Sequence, residues 1–102
     1  MDKSDAIRIA RSFAELIKAK FDYKQVVLFG SYAKGTADEW SDIDLALVTD
    51  DFIGDSFDFR FMLAKLARSI DPDIEPHPYL ISEFNESNPV AGEILKNGER
   101  LF

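Results

Sequence analysis

Residues 30 to 44 read GSYAKGTADEWSDID: two glycines, a serine and a lysine ahead of two aspartates. Asp42 and Asp44 are two residues apart at the start of an apolar run, so in a strand their carboxylates point to one face and Ile43 to the other. Two carboxylates held together repel unless a cation joins them. Hard oxygen donors of this kind suit Mg²⁺, with phosphate and water completing its octahedron. Gly30-Ser31 closes an apolar, strand-like run, and a tight turn there brings backbone N–H groups and the positive end of a following helix close to phosphate oxygens. Gly30 permits close approach, and Ser31 adds a hydroxyl donor. A phosphate turn beside an Asp pair reads as nucleotidyl transfer, in which two ions roughly 3.5 to 4 Å apart stabilise the attacking and leaving oxygens.

A P-loop is the rival reading, since Gly30 and Gly35 have its glycine spacing. Thr36 stands where its phosphate-binding lysine must be, which excludes it. Lys34, inside the glycine turn, either reaches a phosphate or is a solvated loop lysine. His77 is the only histidine; between Pro76 and Pro78 it reads as a surface or packing residue and stays outside the catalytic set. Tyr32 and Trp40 flank the loop, where aromatics either stack on a base or, more commonly, cover a core edge.

The elements that must position these residues follow from periodicity. Ile7, Ala10, Phe13, Ala14, Ile17 and Phe21 recur at helical spacing, predicting a helix over 4–21 with Ser4 as cap. Gln25 to Phe29 is a short buried strand, Gly30-Ser31 turns into a short helix, and a second buried strand starts near Asp42. A helix over 57–70, with Ser56 as cap, ends at Asp71-Pro72. Phe57 and Phe61 can share one face of it, but Phe59 is about 200° from Phe57, so the three cannot all face one core. The nine phenylalanines read mostly as core, with Phe57 or Phe59 the candidate for a partner surface.

Residues 73 to 81 form a third strand, in which Asp73, Glu75, His77 and Tyr79 share a face. Pro76 and Pro78 both lack N–H groups on one side, which predicts an edge strand. Asn88-Pro89 caps a last helix, and Gly98 is expected to stop it in the left-handed conformation. The alternation of four helices and three strands implies an α/β domain of two or three layers.

Gly30-Ser31, ten intervening residues and Asp42-Ile43-Asp44 resemble the G-S-x10-D-x-D signature of the DNA polymerase β-like nucleotidyltransferase superfamily. The short chain and flanking apolar strands resemble its minimal branch, the MNT or MntA-like proteins paired with HEPN-domain toxins. The resemblance implies the nucleotidyltransferase fold, a small mixed sheet packed with helices (α+β). It implies that Gly30 and Ser31, with Lys34, hold the triphosphate of ATP, and that Asp42 and Asp44 bind Mg²⁺, as two ions. It also implies a third acid on a later strand, for which Glu75 is the candidate and Asp73 the alternative. The implied activity is transfer of AMP to a hydroxyl, commonly tyrosine, of a HEPN ribonuclease toxin, making the chain an antitoxin. The alternatives are a non-catalytic antitoxin that occludes its partner, and a small-molecule nucleotidyltransferase.

Composition bounds these readings. At 102 residues and 46% hydrophobic content, one domain over 1–102 is expected. The formal charge of −7 argues against autonomous nucleic-acid binding, which needs Lys and Arg on phosphates. Six of the 12 basic residues lie in the first 24 positions, as a solvated helix face or a surface for an acidic partner. There is no cysteine, no long apolar run and no signal-like segment, so a cytoplasmic protein with no membrane partner is expected.

Overall fold

A computed structural model describes residues 1–102. The elements run α1 (Lys3–Lys18), β1 (Gln25–Phe29), α2 (Ser31–Lys34), β2 (Ile43–Thr49), α3 (Ser56–Ile70), β3 (Ile74–Leu80), α4 (Pro89–Asn97) and β4 (Glu99–Arg100). The strands form one mixed sheet in the order β3-β2-β1-β4, with β1 antiparallel to β2 and β4, and β2 parallel to β3. This is the small mixed sheet packed with helices that the sequence implied.

Alternation along the strands divides the core in two. Val26, Leu28, Ile43, Leu45 and Leu47 point to one face, where they bury Phe13 and Ile17 of α1 and Phe59 and Leu63 of α3. Val27, Ala46 and Val48 point to the other, against Ala91 and Ile94 of α4 and Phe84. Full burial of each large apolar side chain here contributes about 1.5–3 kcal/mol, and Phe13 and Phe59 are completely buried. The molecule is therefore three layers, with the sheet in the middle.

The caps depart from expectation in two places. Asp2, not Ser4, caps α1: the Asp5 N–H donates to Asp2 Oδ1 at 2.9 Å, and the Asp2 N–H donates back to Asp5 Oδ2 at 3.3 Å. This reciprocal pair satisfies two of the free N–H groups of the first turn and starts the helix two residues earlier than Ser4 would. α1 also ends at Lys18, and Phe21 packs from the following turn. Likewise Asp55, not Ser56, caps α3, accepting from the Asp58 N–H at 2.7 Å. Asn88 caps α4 with Pro89 in the first turn, as read.

Gly98 follows α4 but is extended, with φ −80° and ψ 166°, rather than left-handed. The glycine is required by contact instead: an added Cβ would lie 2.5 Å from the Ile94 carbonyl oxygen and 2.7 Å from Val27 Cγ1. That close approach lets the chain turn directly into β4, which pairs Leu28 with Glu99 and Val27 with Arg100.

β3 is an edge strand, as its prolines predict. The Ile43 N–H donates to the Asp73 carbonyl and the Ile81 N–H to the Thr49 carbonyl, so odd-numbered residues of β3 bond to β2. Pro76 and Pro78 therefore sit where N–H groups would face the open edge, which blocks further strand pairing. On α3 the phenylalanines divide: Phe59 is in the core, while Phe57 and Phe61 are 74% and 58% exposed. No helix is long and apolar enough to cross a membrane.

Candidate active site

The site lies at the end of the sheet where β1 stops and β2 and β3 begin. The register sets Asp44 of β2 between Phe29 of β1 and Glu75 of β3. Because Asp44, Ala46 and Val48 share a face, Asp44 belongs to the α4 side of the sheet, beyond the apolar contacts that α4 makes. Glu75 and His77 of β3 present to the same face.

Gly30 fixes the floor of the site. Its φ of 75° and ψ of −152° fall in a region open essentially to glycine. A Cβ at Gly30 would collide with Asp44 Oδ2 and lie 3.2 Å from Asp44 Cγ, so the absence of a side chain is what lets the turn cross the aspartate. Ser31 begins α2, and Gly35 ends it in the left-handed conformation with φ 77°. Both expected turn glycines thus have positive φ. Lys34 is on the last position of α2, half exposed, and its Nζ is 3.7 Å from Glu93 Oε1 of α4.

Asp44, Glu75 and His77 each offer a donor atom, and these lie within 4.8 Å of one another. His77 Nε2 is 3.3 Å from Asp44 Oδ1 and 3.9 Å from Glu75 Oε1. Asp42 is outside this three-residue donor group and lines a groove beside Glu75. The neighbouring Asp42 side chain pushes the Glu75 carboxyl above its ordinary value, and partial burial and the charges of Asp44 and Asp42 add to this while His77 opposes it. A carboxyl that holds its proton more tightly than usual because other carboxylates crowd it marks excess negative charge. Carboxylate oxygens of Asp44 and Glu75 beside the His77 nitrogen fit a divalent cation.

The other expected residues fall as follows. Asp73 lies just before β3, its N–H donating to Asp71 Oδ1, and is outside the three-residue donor group. Tyr32 is a core residue, 2% exposed, whereas Trp40 is 84% exposed and covers no core edge. His77, left aside in the sequence, lies against the acids, its ring 5.1 Å edge-on from that of Phe29. The available signal was its shared face with Glu75, but only the parallel register with β2 brings that face to Asp44. A groove of about 320 Å³ beside Glu75 and Asp42 carries Arg60 and Arg68 of α3, which sequence reasoning had not connected to the acids.

Comparisons with known proteins identify the fold and the family. Two Methanocaldococcus jannaschii proteins, each named putative protein adenylyltransferase, are 44% identical over 50 residues and 40% identical over 48 residues. Each match covers 47% of this chain, and 34% and 48% of the respective relatives, so the chain spans about half or less of the length of the curated relatives it matches. Among solved structures, a putative nucleotidyltransferase from Sulfolobus solfataricus superposes with a TM-score of 0.70 at 20% identity, over 96% of this chain and 80% of that one. A toxin-antitoxin structure with AMP-PNP matches with a TM-score of 0.63 at 25% identity, over 100% of this chain and 73% of that one. A mutant of the MntA-HpeT toxin-antitoxin gives 0.62 at 23%, again over 100% and 73%. The family model described as Polymerase beta, Nucleotidyltransferase matches residues 12–102, and the chain belongs to that nucleotidyltransferase family.

Proposed function

We propose that this chain is an antitoxin that transfers AMP from ATP to a hydroxyl, a tyrosine, of a HEPN ribonuclease toxin. The observation that carries the reading is the meeting of Asp44 and Glu75 beside the side-chain-free turn at Gly30, with Asp42 lining the groove next to Glu75. The names of the matched relatives, and the nucleotide analogue in a structural neighbour, support the choice of adenylyl transfer and a toxin partner.

In this reading Gly30 leaves room for the triphosphate against β2, and the Ser31 hydroxyl donates to a phosphate oxygen. Lys34 leaves its exposed pairing with Glu93, worth little in water, to meet phosphate charge. Asp42, Asp44 and Glu75 would hold Mg²⁺ as two ions, which would supply charge neutralisation at the phosphates and a more acidic acceptor hydroxyl. The Glu75 side chain is 53% exposed, so an incoming hydroxyl can reach it. The acceptor oxygen forms its bond to the α-phosphorus while the bond to the bridging oxygen breaks. Pyrophosphate leaves, and the hydroxyl proton passes to a Glu75 carboxylate oxygen.

The test is intact mass of a purified HEPN-domain toxin, taken as the candidate partner, after incubation with the chain, ATP and Mg²⁺. A gain of whole adenylyl groups is expected. An unmodified partner, or equal modification by the Asp42→Asn/Asp44→Asn double variant, would refute the reading. One observation favours a second reading, neutralisation by occlusion without catalysis: Phe57 and Phe61 stand exposed one turn apart on α3. Protection of cells that survives loss of both aspartates would select it.

A further inference from the structure

We propose that His77 is a metal ligand, so that the cation position among Asp44, Glu75 and His77 takes a first-row transition-metal dication in preference to Mg²⁺. This rests on the reading that the acids bind divalent cations, and it changes which cation occupies the Glu75 side.

Three observations carry it. First, Nε2 is 3.3 Å from one carboxylate oxygen and 3.9 Å from the other. The shorter contact is a long hydrogen bond to Asp44, and the same nitrogen faces Glu75 as well, so one imidazole nitrogen is directed at both carboxylates. Ligands at about 2.0–2.2 Å from a shared ion are themselves about 3.4 Å apart in a tetrahedron. The Asp44–His77 spacing of 3.3 Å is close to that value, and the three donor atoms, all within 4.8 Å of one another, can close on a shared ion by small side-chain movements.

Second, the ring is held in place. It packs edge-on against Phe29, whose strand partner is Asp44, so the imidazole is aimed at the acids by a fixed neighbour. Third, the donor set is mixed. Imidazole nitrogen beside carboxylate oxygen suits Mn²⁺, Co²⁺ or Zn²⁺, whereas Mg²⁺ keeps oxygen ligands and water. The side chains of Asp44 and His77 are 24% and 32% exposed, which leaves the position open on its solvent side to a phosphate or acceptor oxygen.

The experiment uses the metal-stripped chain without an affinity tag. Because His77 is the only histidine, an imidazole nitrogen coupling in the pulsed electron paramagnetic resonance of bound Mn²⁺ can come only from it. That coupling is expected, and its absence overturns the proposal. Titration with Co²⁺, followed by visible absorption, and with Mg²⁺, followed by calorimetry, is then repeated on His77→Phe, which keeps a ring on Phe29, and on His77→Ala. The expected loss is about 100-fold for Co²⁺, the upper end of what metal-site polar groups contribute, with Mg²⁺ affinity changed less than about threefold. Equal Co²⁺ affinity in a folded variant overturns the proposal. Should both variants unfold, the coupling in the unaltered chain decides. Failure of AMP transfer with the nitrogen coupling intact counts against the proposed function alone; transfer with bound Mn²⁺ lacking the coupling counts against this inference alone.

Discussion

Gly30→Ala tests the link between the glycine turn and the aspartate beneath it. Two costs are separable. The backbone at φ 75° and ψ −152° charges a residue with a Cβ about 1–3 kcal/mol. The collision of that Cβ with the Asp44 carboxylate adds about 1–3 kcal/mol of overpacking. The sum, about 2–6 kcal/mol, is a large part of the 5–15 kcal/mol typical of a domain. At about 4–8 °C per kcal/mol, the thermal midpoint should fall by about 8 °C at the least. Gly35 is the control: its φ is 77°, but nothing lies within 4 Å of an added Cβ. Gly35→Ala should cost only the left-handed penalty, about 1–2 kcal/mol. Urea and thermal unfolding by circular dichroism measure both. The decisive arm is Gly30→Ala in an Asp44→Ala background, where the collision is gone and the loss should shrink to the backbone term, leaving a coupling of about 1–3 kcal/mol. Equal losses at Gly30 in both backgrounds would refute the close-approach argument.

Three further outcomes follow from the structure. Asp55→Ala should cost about 1 kcal/mol through loss of the α3 cap, while Ser56→Ala stays within about 0.5 kcal/mol; urea unfolding of each variant separates them, and a reversed order would restore Ser56 as the cap. In metal-free protein, Glu75 binds its proton more tightly when folded than its ordinary value of 4.5 allows, so its stability contribution is complete below that value and is lost as pH rises through the raised one. Glu75→Gln should therefore gain stability relative to the unaltered chain as pH climbs above 4.5, and a gap in unfolding midpoint that is flat with pH would contradict the crowding of the acids. Replacing Pro76 and Pro78 together by Val restores two edge N–H groups and should promote self-association, read by analytical ultracentrifugation; a variant that stays as monodisperse as the parent would show the prolines are not what protects the edge.

Much of this was legible because it is local. The alternation of Asp42, Ile43 and Asp44, the Gly-Ser turn at the end of an apolar run, the Asn88-Pro89 cap and the proline pair of β3 each carry their structural meaning within a few residues. What was not legible depends on partners far along the chain. β4 is two residues long and exists because β1 offers Val27 and Leu28 as partners, which nothing in Glu99-Arg100 announces. Gly98 has the sequence signature of a left-handed stop, but its constraint is crowding by Ile94 and Val27. Ser4 and Ser56 carry the cap signature, but Asp2 and Asp55 lie two residues and one residue before them, and helix geometry favours whichever side chain reaches the free N–H groups. His77 is the costliest omission. Its flanking prolines pointed to a surface role, whereas the parallel pairing of β2 and β3 sets it against two carboxylates.

The central claim is that the acid cluster at the head of β2 and β3 drives AMP transfer, and the most direct measurement is the rate at which label from α-phosphate-labelled ATP reaches the partner toxin, with pyrophosphate counted in parallel. The account predicts one pyrophosphate per AMP transferred, complete loss on chelation of divalent metal, and a rate at least about 100-fold lower for Glu75→Gln, the scale of a positioned proton acceptor. Transfer by Glu75→Gln at the unaltered rate, or label on the toxin without pyrophosphate release, would contradict it.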